Sequence, residues 1–235
     1  MENSPERRID LLFLSHFDDD HVNGVPDLLG VPHGMKVDTI VMPWVDDVER
    51  LISFGRSYAK RSATSTFFRG LVADPTGALL SLRPGRIIFL RGPPEDPDAD
   101  LGGPIFIDPD GMPDRPFTYK VSSDPSAKAG TSRGAPTGRV SRVGNAVVVE
   151  VDESAVIQAG ALGSELSWLF KPYVRRADPA LVLSFERHAE QLLGWPWGSF
   201  RRDVSSATVR AQLVDDPVKS TLIAKVIVDL TDDDT

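Results

Sequence analysis

Two histidines and two aspartates stand within six positions, directly after the first apolar run of the sequence. They are His16, Asp18, Asp20 and His21. Alternate side chains of an extended segment point the same way, so the first three are expected to converge on one point. A helix that begins near Asp20 would turn His21 towards the same place. Imidazole and carboxylate groups together suit zinc, manganese or iron, so the spacing predicts a metal site.

One other interpretation of these residues stays open. The loop could be a polar strand-to-helix connection in which an aspartate caps the helix. If it does bind a metal with an open position, that metal would lower the pKa of a bound water and give a hydroxide nucleophile at neutral pH. Asp19 is expected to face solvent, and Asn23 and Gly24 are expected to allow a close approach of helix and strand.

The stretch LLFLSHFDDDHVNGV resembles the metal-binding signature of the metallo-β-lactamase fold, His-x-His-x-Asp-His followed by glycine at the end of a strand. In this comparison His16 matches the first ligand, Asp20 the acidic ligand of the second metal, His21 the last ligand and Gly24 the glycine. Asp18 replaces the second histidine, a variant that some members of the fold carry. The resemblance implies a metal-dependent hydrolase of an ester, amide or phosphodiester bond, with Asp20 as the catalytic group that orients the attacking water.

The resemblance also implies the metal, the fold and the partners. Zinc is the expected ion, with manganese or iron as alternatives, and the substrate is an unknown small molecule or nucleotide. The expected fold is α/β, a partial αββα sandwich, because only eight residues precede the first predicted strand. The family also needs later ligands, and only His33 in a turn and His188 on a helix remain, neither of which is predicted to bind metal. The alternative function is therefore a catalytically inactive remnant or binding module that acts with a partner protein completing the fold.

The elements that must position these residues alternate between strand and helix, as in α/β proteins. Apolar runs predict strands at 9–14, 37–42, 86–90, 145–151 and 166–174. Periodicity predicts helices at 46–61, 64–72 with Thr64 or Ser65 as cap, 181–193, 206–214 and 218–228. Residues 92–144 are rich in Pro, Gly, Ser and Asp, which predicts a partly disordered surface insertion with a strand at 104–107. The chain is thus divided into 1–91 with the motif, the insertion 92–144, and 145–235 as a continuation of the first part.

Composition narrows the class of protein further. The 235 residues include no cysteine, which excludes disulfides, thiolate zinc sites and cysteine nucleophiles. The formal net charge of −8 argues against a chain that coats nucleic acid or anionic lipid. No apolar stretch approaches the ~20 residues of a membrane span, so a cytoplasmic protein without membrane contact is expected. Trp195 and Trp197 flank a proline, and core packing and a partner contact are equally compatible with this pattern.

Overall fold

A computed structural model describes residues 7–30, 34–91, 117–123, 138–152, 155–161, 167–170 and 177–232. The predicted strand at 104–107 and His33 lie outside these residues. The strands are β1 Arg8–Phe13, β2 Lys36–Pro43, β3 Arg86–Arg91, β4 Phe117–Ser123, β5 Gly138–Val143, β6 Ala146–Asp152, β7 Ala155–Ala161 and β8 Ser167–Phe170. The helices are α1 Asp19–Val22, α2 Val25–Leu29, α3 Asp47–Arg61, α4 Thr66–Ala73, α5 Pro75–Leu80, α6 Pro179–Leu193, α7 Phe200–Val204, α8 Ala207–Asp215 and α9 Pro217–Asp232. The mixed α/β class is confirmed.

The main sheet has five strands in the order β1-β2-β3-β6-β5. The first four are mutually parallel, and β5 pairs antiparallel with β6. A second sheet has the order β4-β7-β8 with antiparallel pairs. Both β4 and β5 fall inside the predicted surface insertion. For 92–144 the sequence predicted one strand, at 104–107, whereas β4 and β5 are the strands that the described residues form there.

Alternation along the central strands gives this sheet two apolar faces. One face is covered by the helices and carries, among others, Ile40, Met42, Ile87, Phe89 and Val148. The opposite face carries a second buried cluster, which consists of Val41, Ile88, Leu90, Val149, Val151 and Ile157 of β7. The second sheet thus contributes to covering the face that the helices leave open. Strands buried on both faces explain the continuous apolar runs in the sequence.

Local capping signals fix where the long helices begin. The Asp46 side chain accepts from the backbone N–H groups of Val48 and Glu49, both at 2.8 Å, and so begins α3. Of the two predicted caps for α4, Ser65 is the one that accepts from Phe68 N–H, at 3.1 Å. These bonds satisfy donors that the first turn of a helix leaves unpaired.

Two buried arginines join α3, α4 and α8. Arg50 donates to the carbonyl of Val72 at 2.9 Å, and Arg210 donates to that of Ala73 at 2.9 Å. Asp47 neutralises both, at 3.0 Å from Arg210 Nη1 and in direct contact with Arg50. Burial, and then the charge of Arg210, lower the pKa of Arg50 to about 10. The network thus joins the beginning of α3 to the end of α4 and to α8.

Helices α3 and α9 approach closely. A Cβ atom added at Gly55 of α3 would lie 2.8 Å from Ile227 Cγ1 and 3.0 Å from the carbonyl oxygen of Ile223. The absence of a side chain at Gly55 is therefore what permits this helix pair to pack at its observed separation. Within the described residues, no helix combines the length and hydrophobicity needed to cross a membrane.

Candidate functional site

The motif lies at the carboxyl edge of the parallel strands. Leu14, one residue beyond β1, still donates its N–H to Val41 of β2 at 2.8 Å, and the motif follows at once. Asp18 is extended, with φ −131° and ψ 148°, and α1 begins at Asp19. Open α/β sheets bind their ligands at this edge, in the crevice beyond the strand ends. The predicted strand–motif–helix order is therefore present.

The two motif histidines lie side by side. The ring centroids of His16 and His21 are 4.8 Å apart, with an angle of 31° between the rings. Both side chains are exposed, and His16 Nδ1 lies 3.0 Å from the Ser15 hydroxyl. Residues five positions apart meet here because the extended segment turns into α1 between them. The structure thus brings together the two imidazoles that the sequence predicted as ligands.

The two predicted carboxylate ligands face different partners. Asp18 Oδ1 accepts from the Ser53 hydroxyl of α3 at 2.7 Å. Asp20 is 59% exposed, and its Oδ2 lies 4.0 Å from Nη2 of Arg61 at the end of α3. In the part of the chain that the structure describes, no three His, Asp or Glu side chains are grouped to hold one metal ion. Asp18 occupies the N-cap position of α1, but its side chain makes no capping hydrogen bond.

Asp19 is buried, which corrects the expectation that it faces solvent. Only 4% of the residue is exposed, and Oδ1 accepts from both the backbone N–H of Ser65 at 3.0 Å and its hydroxyl at 2.7 Å. Oδ2 lies 3.8 Å from Arg61 Nη1. The side chain turns inward with Phe17, on the opposite side of the loop from His16. Asp19 therefore anchors the motif to the beginning of α4.

Gly24 and His188 were also singled out in the sequence, and neither contributes to the geometry of the motif in the described structure. A Cβ at Gly24 would meet no atom within 4 Å, so the predicted close approach of helix and strand is not what this glycine provides. His188 lies on α6, with Nδ1 2.9 Å from the Ser184 carbonyl oxygen one turn earlier. Sequence reasoning missed Ser53, Arg61 and Ser65, which hold the motif. No local signal identifies these residues as partners of the motif, because each contacts it only through the packing of α3 and α4.

A second group of polar and aromatic residues lies at the same edge of the sheet. Arg91, the last residue of β3, places Cζ 4.8 Å from the ring centroid of Trp44, which follows β2. Its Nη2 lies 2.5 Å from Glu150 Oε2 on β6. Trp44 in turn packs edge-on against Phe89, with ring centroids 5.2 Å apart. The Arg91 Nε atom is buried and has no hydrogen-bond partner among the described residues.

No protein-family model, curated protein or solved structure matches this chain. What the fold defines is a mixed α/β protein with a mostly parallel five-stranded sheet. The motif contributes imidazole and carboxylate side chains, which are among the ligand types of divalent metals in proteins. Two exposed imidazoles are adjacent, and among the described residues Asp18 Oδ2 accepts no hydrogen bond while Asp20 has only its ion pair with Arg61.

Proposed function

We propose that this chain is a metal-dependent hydrolase of the metallo-β-lactamase type, which cleaves an ester, amide or phosphodiester bond. His16, Asp18, Asp20 and His21 would hold the divalent ion, with zinc expected and manganese or iron as alternatives. The observation that carries the proposal is the adjacency of the two exposed histidine rings, 4.8 Å apart at the carboxyl edge of the parallel strands. When bound, the ion supplies a hydroxide nucleophile at neutral pH.

Residues of the motif would also orient the attacking water and hold the loop in place. The exposed carboxylate of Asp20 can accept a hydrogen bond from the attacking water and so orient it. Asp18 is held by Ser53 on the other side of the loop, and Asp19 anchors the loop to α4. These contacts restrict the motif before any ligand binds, which lowers the entropic cost of assembling the site.

The layers of the fold support the proposed partial αββα sandwich. Helices cover one face of the five-stranded sheet, and Ile157 of the second sheet joins the cluster on the other face. This order of helix layer, sheet and second sheet corresponds to three of the four layers that the resemblance implies.

A second candidate function is a catalytically inactive remnant or binding module that acts with a partner chain. The observation that favours it is the separation of the carboxylates, since Asp18 turns to Ser53 and Asp20 to Arg61. The open edge of β5, which pairs only with β6 among the described strands, offers a partner an unpaired row of backbone groups.

Elemental analysis of the dialysed full chain separates the two functions. The wild type is compared with a His16→Ala/His21→Ala double variant and with His188→Ala, which removes a histidine away from the motif. We expect near-stoichiometric zinc, manganese or iron in the wild type and in His188→Ala, and loss of the metal in the double variant. Background metal in all three chains would contradict the hydrolase proposal and favour the binding module.

A further inference from the structure

We infer that Arg91 binds an anionic group of the substrate, and that the substrate is a phosphate ester. This inference rests on the proposed function and names the class of substrate.

Strand register places Arg91 level with the motif. Phe13 of β1 pairs with Val41 of β2, which pairs with Ile88 of β3. Three residues further along each strand direction stand His16, Trp44 and Arg91. Adjacent strands lie ~4.8 Å apart, so the ends of β1 and β3 are about two strand spacings, roughly 10 Å, apart. A substrate whose scissile bond lies at the histidines can therefore reach Arg91 with a second group.

The guanidinium of Arg91 is held in place, but most of its N–H donors have no acceptor among the described residues. Trp44 lies under it at 4.8 Å, and Glu150 accepts from Nη2. A guanidinium has five N–H donors in a planar fork, and only one of them has an acceptor among the described residues. The side chain remains 38% exposed, so a ligand can approach it.

The chemistry of these free donors selects an oxyanion. A planar fork that is fixed by stacking matches the oxygens of a phosphate or carboxylate, with two parallel charge-assisted hydrogen bonds. Nη1 and the second N–H of Nη2 have no acceptor among the described residues, so these are the donors that remain open to such a ligand. A phosphate group carries a charge of about −1.5 to −2 at pH 7, against −1 for a carboxylate, so it interacts more strongly with the guanidinium. We therefore assign the phosphate.

A purely structural role for Arg91 predicts different effects of its replacement on stability and on anion binding. If Arg91 served only to pair β3 with β6 through Glu150, its replacement would lower stability and leave anion binding unchanged. Arg86 is the matched control, because it stands at the opposite end of the same strand, at the amino edge of the sheet. Arg86→Gln removes the same charge from the same strand, far from the motif.

The test is calorimetric titration of the full chain with inorganic phosphate, and with acetate at equal ionic strength. The chain is titrated metal-free and zinc-loaded, as wild type, Arg91→Gln, Arg91→Lys and Arg86→Gln. We expect saturable phosphate binding by the wild type, about a tenfold loss in Arg91→Gln, an intermediate loss in Arg91→Lys and wild-type binding in Arg86→Gln. Melting temperatures establish that each variant is folded, and Arg91→Lys carries the test if the glutamine variant is not.

Three results would overturn the inference. These are equal phosphate affinities in Arg91→Gln and the wild type, no saturable phosphate binding by the wild type, and acetate binding with the same dependence on Arg91. The metal content of Arg91→Gln distinguishes a failure of this inference, which concerns phosphate binding, from a failure of the proposed function, which concerns metal binding. Arg91→Gln should retain the metal of the wild type, whereas the His16→Ala/His21→Ala variant should lose it.

Discussion

Asp19 and its neighbour Asp20 should have opposite roles, although they are adjacent and chemically identical. Asp19→Ala removes a buried acceptor that receives two hydrogen bonds from Ser65, at 2.7 and 3.0 Å. A hydrogen bond to a charged group contributes about 1.5–3 kcal/mol, and a stranded buried N–H costs a similar amount. The half-exposed ion pair with Arg61 adds at most ~1 kcal/mol. Because the two bonds share one acceptor, we expect Asp19→Ala to lower the free energy of unfolding by about 2–4 kcal/mol.

Asp20→Ala is the matched variant. Asp20 is 59% exposed, and its contact with Arg61 is 4.0 Å long, so its loss should change the free energy of unfolding by no more than ~0.5 kcal/mol. If Asp20 is a metal ligand as proposed, the same variant should lose metal affinity. Asp19→Asn gives an intermediate case, because the amide oxygen can still accept both bonds without the charge.

Urea unfolding of the three metal-free variants measures the first quantity, and metal content after dialysis measures the second. The expected pattern is a large loss of stability in Asp19→Ala alone and a large loss of metal affinity in Asp20→Ala. A loss below ~0.5 kcal/mol in Asp19→Ala, or equal losses in both alanine variants, would refute the assignment of Asp19 as the anchor of the loop.

Two further predictions concern packing. Trp195 packs against Phe200 with ring centroids 5.6 Å apart, whereas Trp197 is 74% exposed. We therefore expect Trp195→Ala to lower the free energy of unfolding by about 2–4 kcal/mol, and Trp197→Ala to change it by no more than ~0.5 kcal/mol. Thermal unfolding measures both changes. Equal losses would show that Trp197 is not an exposed residue. Gly55→Ala should destabilise by about 1–3 kcal/mol despite the higher helix propensity of alanine, because the new Cβ would lie 3.0 Å from a backbone carbonyl of α9. Chemical denaturation measures this loss, and an unchanged or raised stability would show that α3 and α9 can move apart at little cost.

The long elements were predictable because their signals are local. The helix predicted at 46–61 is α3 at Asp47–Arg61, capped by Asp46, and the helix predicted at 181–193 is α6 at Pro179–Leu193. Strand 86–90 is likewise β3 at Arg86–Arg91. In each case an apolar pattern and a capping or turn residue lie within the same short window, so no distant contact is needed to identify the element.

The strands of the insertion were not predictable in the same way. The segment GRVSRV has two valines at most to bury, and both Val140 and Val143 are exposed on β5. What makes β5 a strand is its antiparallel pairing with β6, a contact that depends on the turn at Gly144, where φ is +60°. A glycine in that conformation is a turn signal, but the sequence around it was too rich in glycine and proline for one turn to stand out.

The motif divides into a part that the sequence predicted and a part that only packing decides. Alternation along the loop predicted that His16, Asp18 and Asp20 converge. The structure instead brings His21 beside His16, while Asp18 lies against Ser53 and Asp20 near Arg61. The expectation for Asp19 was wrong because a charged residue is assumed to face water unless a partner is known. Its partners are Ser65 and Arg61, which reach it through two helices rather than through sequence proximity.

The contact between Ser53 and the motif bears on the choice between a metal site and an inactive remnant. The Ser53 hydroxyl lies within hydrogen-bonding reach of both the Phe17 carbonyl oxygen and Asp18 Oδ1, yet it has a single hydrogen to donate. At any moment one of these two acceptors therefore lacks the Ser53 hydrogen. Asp18 Oδ2 accepts from no described residue, so the carboxylate is held in position while most of its lone pairs remain unused. An oxygen that is fixed in place and poor in donors favours a cation, and this one lies two residues from His16. The serine contact thus bears on both candidate functions: it favours the binding module by separating Asp18 from Asp20, and it leaves Asp18 Oδ2 as the oxygen that a cation could bind.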